Sequence, residues 1–513
     1  MNPAKTLSMD KRYGHKNGNI INMRKTRIGF VSLGCPKNQI DTEVMLHELI
    51  QEGYEIVAED IKADIIIINT CAFITSAKKE AIDNILDIAW LKKKRLRGII
   101  VTGCLAERYR EQLLTEMPEI DAVLGTGSIH DIVRAVRHVD EKTKNSKHSS
   151  GGIVDGEADS KAENEKYRLA SEGKEVKSEE EMLCVNTSEQ DKFSSFIDKN
   201  KLSLGGDRAV TTPEYFAYMK IAEGCDNCCT YCIIPKLRGN FRSRPIEELI
   251  SEAKTLEGLG VKELVLVAQD TSRYGEDLYG EYSLAKLIRA ITENTKIPWI
   301  RILYCYPDKI TDELIEEFKN NSRLVNYIDI PIQHISDSVL RRMNRHGGSA
   351  VIRNAVDRLR KNVPGIVIRT TAIVGFPGET EEEFSELCEY IKEAHFERFG
   401  AFTYSREEDT PAYDFENQID EQIKQDRYDI IMKQQMEISD RQNRKKLGKT
   451  LQVICEGYDP VSETYFGRSY ADAPEIDGKI YFYSERKLSE GEFVSVKIND
   501  ILDYDLIGKV VEK

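Results

Sequence analysis

Gly224-Cys225-Asp226-Asn227-Cys228-Cys229-Thr230-Tyr231-Cys232 lies near the middle of the 513-residue chain, and the rest is read outward from it. Cys225, Cys229 and Cys232 stand in C-x₃-C-x₂-C spacing, which lets three thiolates grip one face of an iron–sulfur cluster. Four cysteines would close such a cluster, whereas three leave one iron open to a small molecule. A structural zinc knuckle usually takes four ligands in two pairs, and no second C-x₂-C or H-x₃-H follows nearby. The run also admits a second parsing, Cys225-x₂-Cys228-x₃-Cys232, in which Cys228 replaces Cys229.

A strand, Tyr218–Ala222, runs straight into this loop, and β–α alternation continues after it. Further strands are expected at Glu263–Ala268, Trp299–Tyr304, Tyr327–Ile330, Ile366–Ala372 and Arg398–Thr403. Six such units predict a partial TIM-like barrel, with its chemistry at the carboxyl ends of the strands. Polar residues stand at those ends: Gln269-Asp270-Thr271, Gln333-His334, and Gly375-Phe376-Pro377-Gly378-Glu379. The glycines of the last run permit close backbone approach to a ligand. His334 also fits an ordinary structural histidine.

Before the central loop, apolar strands alternate with amphipathic helices from Arg24 onward. Strands at Ile28–Ser32, Ala63–Asn69 and Gly98–Thr102, with helices near Asp41–Glu52, Ala77–Leu91 and Glu107–Met117, predict a doubly wound parallel sheet. A cysteine follows each strand: Cys35, Cys71 and Cys104. The carboxyl ends of a parallel sheet open on one edge, so three thiols far apart in sequence should converge there. A second three-cysteine cluster site is the expectation.

From 140 to 211 Ser, Lys, Glu, Asp and Gly dominate, and apolar residues are too sparse to bury a face. Such a segment is expected to be a disordered insert, with Cys184 no ligand. The domains are therefore expected at 24–139, 212–445 and 446–513. A polar helix, about Asp420 to Lys446, leads to the last of these. There, short strands at Thr450–Glu456, Lys479–Tyr483, Glu492–Ile498 and Asp505–Val511 predict a small antiparallel barrel of about five strands.

Composition narrows the function classes. A hydrophobic fraction of 40% with charged residues at 31% fits packed cores rather than a disordered chain. No apolar run reaches 18 residues, which excludes a membrane-spanning helix. The polar stretch from Met1 to Met23 lacks the apolar core of a signal peptide, and Met23 is a candidate start. Eleven cysteines without a paired framework read as reduced, cytoplasmic and metal-binding. Cys305, Cys388 and Cys455 sit in apolar patterns as core residues. A net charge of −14 speaks against broad nucleic-acid binding and suits a basic protein partner.

The spacing of Cys225, Cys229 and Cys232 resembles the radical S-adenosylmethionine (SAM) enzymes, and that resemblance favours Cys229 over Cys228. In that family the open iron takes SAM, and Tyr231 matches a residue that packs near its adenine. The three parts together resemble the methylthiotransferases, which join a three-cysteine domain, a radical SAM core and a C-terminal TRAM barrel. Ala222-Glu223-Gly224-Cys225-Asp226-Asn227, Leu303-Tyr304-Cys305-Tyr306-Pro307, Gln269-Asp270-Thr271 and above all Gly467–Gly478 look like the subfamily acting on small-subunit ribosomal protein 12. The related tRNA enzymes carry a more basic sequence at that last place.

The resemblance implies two [4Fe–4S] clusters, on Cys35, Cys71 and Cys104 and on Cys225, Cys229 and Cys232. The first would hold a sulfur species that one SAM methylates. A second SAM would yield the radical that opens the β-carbon of an aspartate. Tyr231, Gln269, His334, Gly375, Gly378 and Glu379 are the candidate SAM contacts, with Asp472 and Glu475 facing the ribosomal protein. A low-potential electron donor is implied as well. The alternative within the same chemistry is tRNA methylthiolation. The segment 447–513 carries thirteen acids against eight bases, the wrong sign for a phosphate backbone.

Overall fold

The computed structural model describes residues 25–149 and 192–511. Met23, Cys184 and residues 150–191 of the insert expected at 140–211 lie outside the described residues, while 140–149 belong to the helix Ile132–Ser149 rather than to a structureless segment. The first domain is a six-stranded, all-parallel sheet of order β2-β1-β3-β4-β5-β6. Its strands are β1 (Arg27–Ser32), β2 (Glu55–Val57), β3 (Ile65–Thr70), β4 (Gly98–Gly103), β5 (Ala122–Leu124) and β6 (Phe193–Ser195). The run Ile65-Ile66-Ile67-Ile68 is buried throughout, as a strand covered on both faces by helices requires. Helix α1 (Pro36–Gln51) begins directly after Cys35, with Pro36 in its first turn. The single helix expected over Glu107–Met117 is two short ones, Cys104–Tyr109 and Glu111–Glu116, broken at Arg110 with φ +47°.

Strand β6 falls inside the segment expected to be structureless. Phe193–Ser195 pairs with β5, and the Ala209 amide donates to the Glu43 carbonyl of α1 at 2.9 Å. Arg208 donates to Glu43, and to Glu252 at 3.0 Å, from a buried position. Residues 192–211 are thus part of the fold. Three residues of strand and one arginine are too few to show as periodicity, so the composition of the whole segment masked them.

The central domain is a second all-parallel sheet, β7 (Phe216–Lys220), β10 (Glu263–Val267), β11 (Trp299–Ile302), β12 (Leu324–Asp329), β13 (Val367–Val374) and β14 (Arg398–Thr403). The order is sequential and the sheet does not close, leaving a half-barrel. A two-residue ribbon of β8 (Ala222–Glu223) and β9 (Arg242–Ser243) flanks the cysteine loop. The outer face packs on helices through Ala217, Met219, Leu264, Leu266, Ile300 and Ile302.

The last domain is a closed barrel, β15-β16-β17-β19-β18. Its strands are β15 (Thr450–Asp459), β16 (Thr464–Ser469), β17 (Ile480–Tyr483), β18 (Phe493–Leu502) and β19 (Asp505–Val510). The pairing is antiparallel except between β17 and β19, which run parallel. An odd number of strands cannot close with every neighbour antiparallel. Among the described residues no helix is long and apolar enough to cross a membrane.

Candidate metal centres

Cys35, Cys71 and Cys104 follow β1, β3 and β4, three neighbours in the sheet. Gly34 has φ +92°, and a Cβ there would lie 2.9 Å from the Cys71 Cβ, so the first two loops touch. Gly103, at φ +91°, turns the chain into Cys104 where a side chain would strike the Asn69 carboxamide. Burial pushes the Cys71 thiol up, and the neighbouring Cys35 adds to it. Cys104 is 6% exposed and its thiol is pushed up to about 12 by burial, with Arg238 opposing and Cys71 and Cys35 adding. The three sulfurs share one electrostatic neighbourhood.

The central loop forms a second trio. Gly224 has φ +80° and presses on the Asn240 carbonyl so closely that no side chain fits. The Cys225 amide donates to the Gly239 carbonyl at 3.0 Å, and the Cys232 amide to the Cys229 carbonyl at 3.0 Å. Burial raises the Cys225 thiol to about 11, with Cys229 contributing, and raises Cys232, with Cys229 and Cys225 contributing. Cys229 is 8% exposed, with the Tyr306 hydroxyl 2.7 Å from its sulfur and Arg345 over the Tyr306 ring. Cys228 is exposed, with a left-handed backbone at φ +49°.

Each trio offers three soft sulfur donors, with Cys228 of the central loop exposed and outside its trio, a donor set that fits an iron–sulfur cluster with one open iron. Among the described residues, no three His, Cys, Asp or Glu side chains close on a single-ion position.

The other expected site residues have individual fates. Tyr231 packs edge-on against Phe376, with ring centroids 6.4 Å apart, in an aromatic group that includes Tyr404 and Phe415. Gln269 donates to Glu223 at 2.6 Å, leaving its own buried carbonyl oxygen without a partner. His334 is fully buried; its Nδ1 accepts from the Ser336 amide at 3.0 Å and its Nε2 has no partner. Burial holds its pKa down to about 3, so the ring is neutral.

The left-handed turn at Gly375 makes room for Lys424, which a Cβ would meet at 2.3 Å, so that glycine's close approach is to a helix. Gly378, also at positive φ, donates its amide to the Asn417 carbonyl at 2.9 Å, and a Cβ there would meet Arg342 only at ordinary contact distance. Glu379 is buried and accepts from the Phe376 amide at 3.0 Å, bracing its own turn, with Arg427 at 3.2 Å. Asp472 does not face a partner. It is 2% exposed, accepts from Arg398, and takes a 2.7 Å bond from Ser469, because the 469–478 loop folds onto the core sheet. Glu475 stays exposed, with the Tyr218 hydroxyl 3.4 Å away.

Sequence reading missed the polar residues between the trios. Asn38 donates to the carbonyls of Leu33 at 3.1 Å and Thr70 at 2.9 Å, tying the loops of Cys35 and Cys71. Lys220 bonds Asp41 at 2.6 Å and Glu223 at 2.8 Å, and Arg238 bonds the same two carboxylates at 2.6 and 3.2 Å. The only sequence signal was their closeness to the cysteines, which says nothing about pairing across nearly 200 residues.

Three family models match the chain: the uncharacterized protein family UPF0004 over residues 27–125, the radical SAM superfamily over 219–391, and the TRAM domain over 447–511. The chain is 45% identical over 482 residues to the ribosomal protein uS12 methylthiotransferase RimO of Thermoanaerobacter sp. (strain X514), covering 94% of this chain and 99% of that protein. It is 46% identical to the RimO of Caldanaerobacter subterraneus subsp. tengcongensis, over the same shares of each. Among solved structures it is similar to the radical SAM methyltransferase TsrM of Kitasatospora setae, with a TM-score of 0.49 at 13% identity, covering 76% of this chain and 77% of that one. The chain belongs to the RimO family of radical SAM methylthiotransferases, enzymes of S-adenosylmethionine and [4Fe–4S] clusters.

Proposed function

We propose that this chain methylthiolates the β-carbon of an aspartate in ribosomal protein uS12. Cys35, Cys71 and Cys104 hold one cluster in this reading, and Cys225, Cys229 and Cys232 hold the other. What supports it is that two separate loop regions each gather three cysteines, with Arg238, just past Cys232, reaching Cys104 of the other trio, in a chain so similar to uS12-directed relatives. When bound, the clusters and SAM supply the radical chemistry that an unactivated carbon needs, since no side-chain base removes such a proton.

The chain's own residues bind and orient. The Tyr306 hydroxyl is hydrogen-bonded to the Cys229 sulfur at 2.7 Å, and the Tyr231–Phe376 pair gives the adenine an aromatic wall. Gln269 is fixed by Glu223, and neutral His334 keeps a free, buried ring nitrogen at the strand ends, suited to a polar group of SAM. Gly375, Gly378 and Glu379 shape the turn beside them. The acidic barrel, with Glu475 on its surface, suits a basic ribosomal protein better than free tRNA. The electron donor must be of low potential.

The test is mass spectrometry of uS12 incubated with the anaerobically reconstituted protein, SAM and reductant. One aspartate should gain a methylthio group. A chain with Cys35, Cys71 and Cys104 all changed to alanine should cleave SAM and transfer nothing. Unmodified uS12 alongside methylthiolated tRNA would reverse the substrate, and transfer by the triple variant would end the two-site reading.

A further inference from the structure

Each thiol trio has its own buried arginine, and the two are supplied differently. Arg345, beside Cys229 and Tyr306, belongs to the same domain as the central trio. Arg238 ends the short helix Ile234–Arg238 just after Cys232, yet its guanidinium reaches out of the core domain into the other site. It donates to the Asn38 carboxamide oxygen, to which the Cys104 thiol also points at 3.8 Å. It lies close enough to Cys104 and Cys71 to oppose the burial that raises their thiols, and it is 3% exposed.

The other side of Arg238 is fixed as firmly. Asp41 of α1 and Glu223, two residues before Cys225, both accept from it, and Lys220 bonds the same two carboxylates. Two cations and two anions balance inside the interface, which is the condition for burying such a group. Three thiolates around a cluster add negative charge at the edge of this network. Without Arg238 the remainder carries one excess negative charge beside Cys104.

We propose that Arg238 is a positioning residue of the N-terminal site. It is lent by the radical SAM core, compensates the charge of the three thiolates, and holds their loops, through Asn38, in register with the central site. The N-terminal site is then incomplete until the two domains meet. This rests on the reading of Cys35, Cys71 and Cys104 as cluster ligands.

The experiment uses the full chain with Cys225, Cys229 and Cys232 changed to alanine, so that only the N-terminal cluster remains. Its reduction potential is measured by titration followed by electron paramagnetic resonance. Arg238→Gln removes a cation and should lower the potential, changing the reduced-to-oxidised ratio at least tenfold, about 59 mV for one electron. Arg238→Lys should restore most of it. Asp41→Asn removes an anion from the same network and should move the potential upward. Opposite signs from the two variants would not follow from loosened packing. Should Arg238→Gln fail to fold, Asp41→Asn decides alone. An unchanged potential in either variant, or a downward shift in Asp41→Asn, overturns the proposal. If the parent chain takes up no iron at all, the cluster assignment itself falls.

Discussion

At the scale of single residues, the two candidate parsings of the central loop make opposite predictions. Cys229 is buried and shares a neighbourhood with Cys225 and Cys232, whereas Cys228 points out from a left-handed backbone. Cys228→Ala should keep the iron content and the formation of 5′-deoxyadenosine. Cys229→Ala should lose both. Glu379 gives a second test. Its folded pKa is raised to about 7 by burial, against Arg427. The unfolded side chain, near its ordinary value, gives up its proton first as pH rises. Folding stability from this group is therefore present below about pH 4.5 and falls between about pH 4.5 and 7, by about 3 kcal/mol. Denaturation midpoints measured across that window should drop less in Glu379→Gln than in the parent chain.

At the scale of elements, alternation and length identified most strands, and tertiary pairing supplied the rest. The six core strands expected from apolar runs are all present, with ends shifted by a few residues. Strands β2, β5 and β6 were missed because three residues carry no period. Strand β16 was missed because its small and polar residues read as a loop. Replacing 150–191 with a short Gly/Ser linker should leave the melting temperature and both iron sites unchanged. Extending the deletion to 201 removes β6 and the Lys199–Glu107 ion pair, and should lower the melting temperature by several degrees. Calorimetry of the two deletions separates the cases.

At the scale of the whole molecule, the barrel is locked to the core by buried charge. Arg468 bonds Glu456 at 2.6 Å and Glu263 at 2.7 Å, Arg301 bonds Glu263 at 2.6 Å, and the Tyr327 hydroxyl donates to Asp477 at 2.6 Å. Asp472 belongs to this lock. Asp472→Ala strands the Arg398 cation and should cost about 3–5 kcal/mol, read from denaturant unfolding. Glu475→Lys, on the surface of the same loop, should leave stability and SAM cleavage alone while weakening uS12 binding severalfold, measured by titration calorimetry. Full retention of uS12 binding would remove Glu475 from the substrate surface.

The sequence alone was enough for the three-part architecture and for the six cysteines proposed as ligands. Thiol spacing and strand-end position are local patterns, and parallel sheets open on one edge by geometry. It could not reach the pairing of Arg238 with Asn38 and Asp41, the burial of Asp472, or the closeness of Gly375 to Lys424. Those are contacts between segments tens to hundreds of residues apart. A lone charged or small residue in sequence looks the same whether solvent or another domain covers it. Only the packed structure, where burial forces each charge to find its partner, tells the two apart.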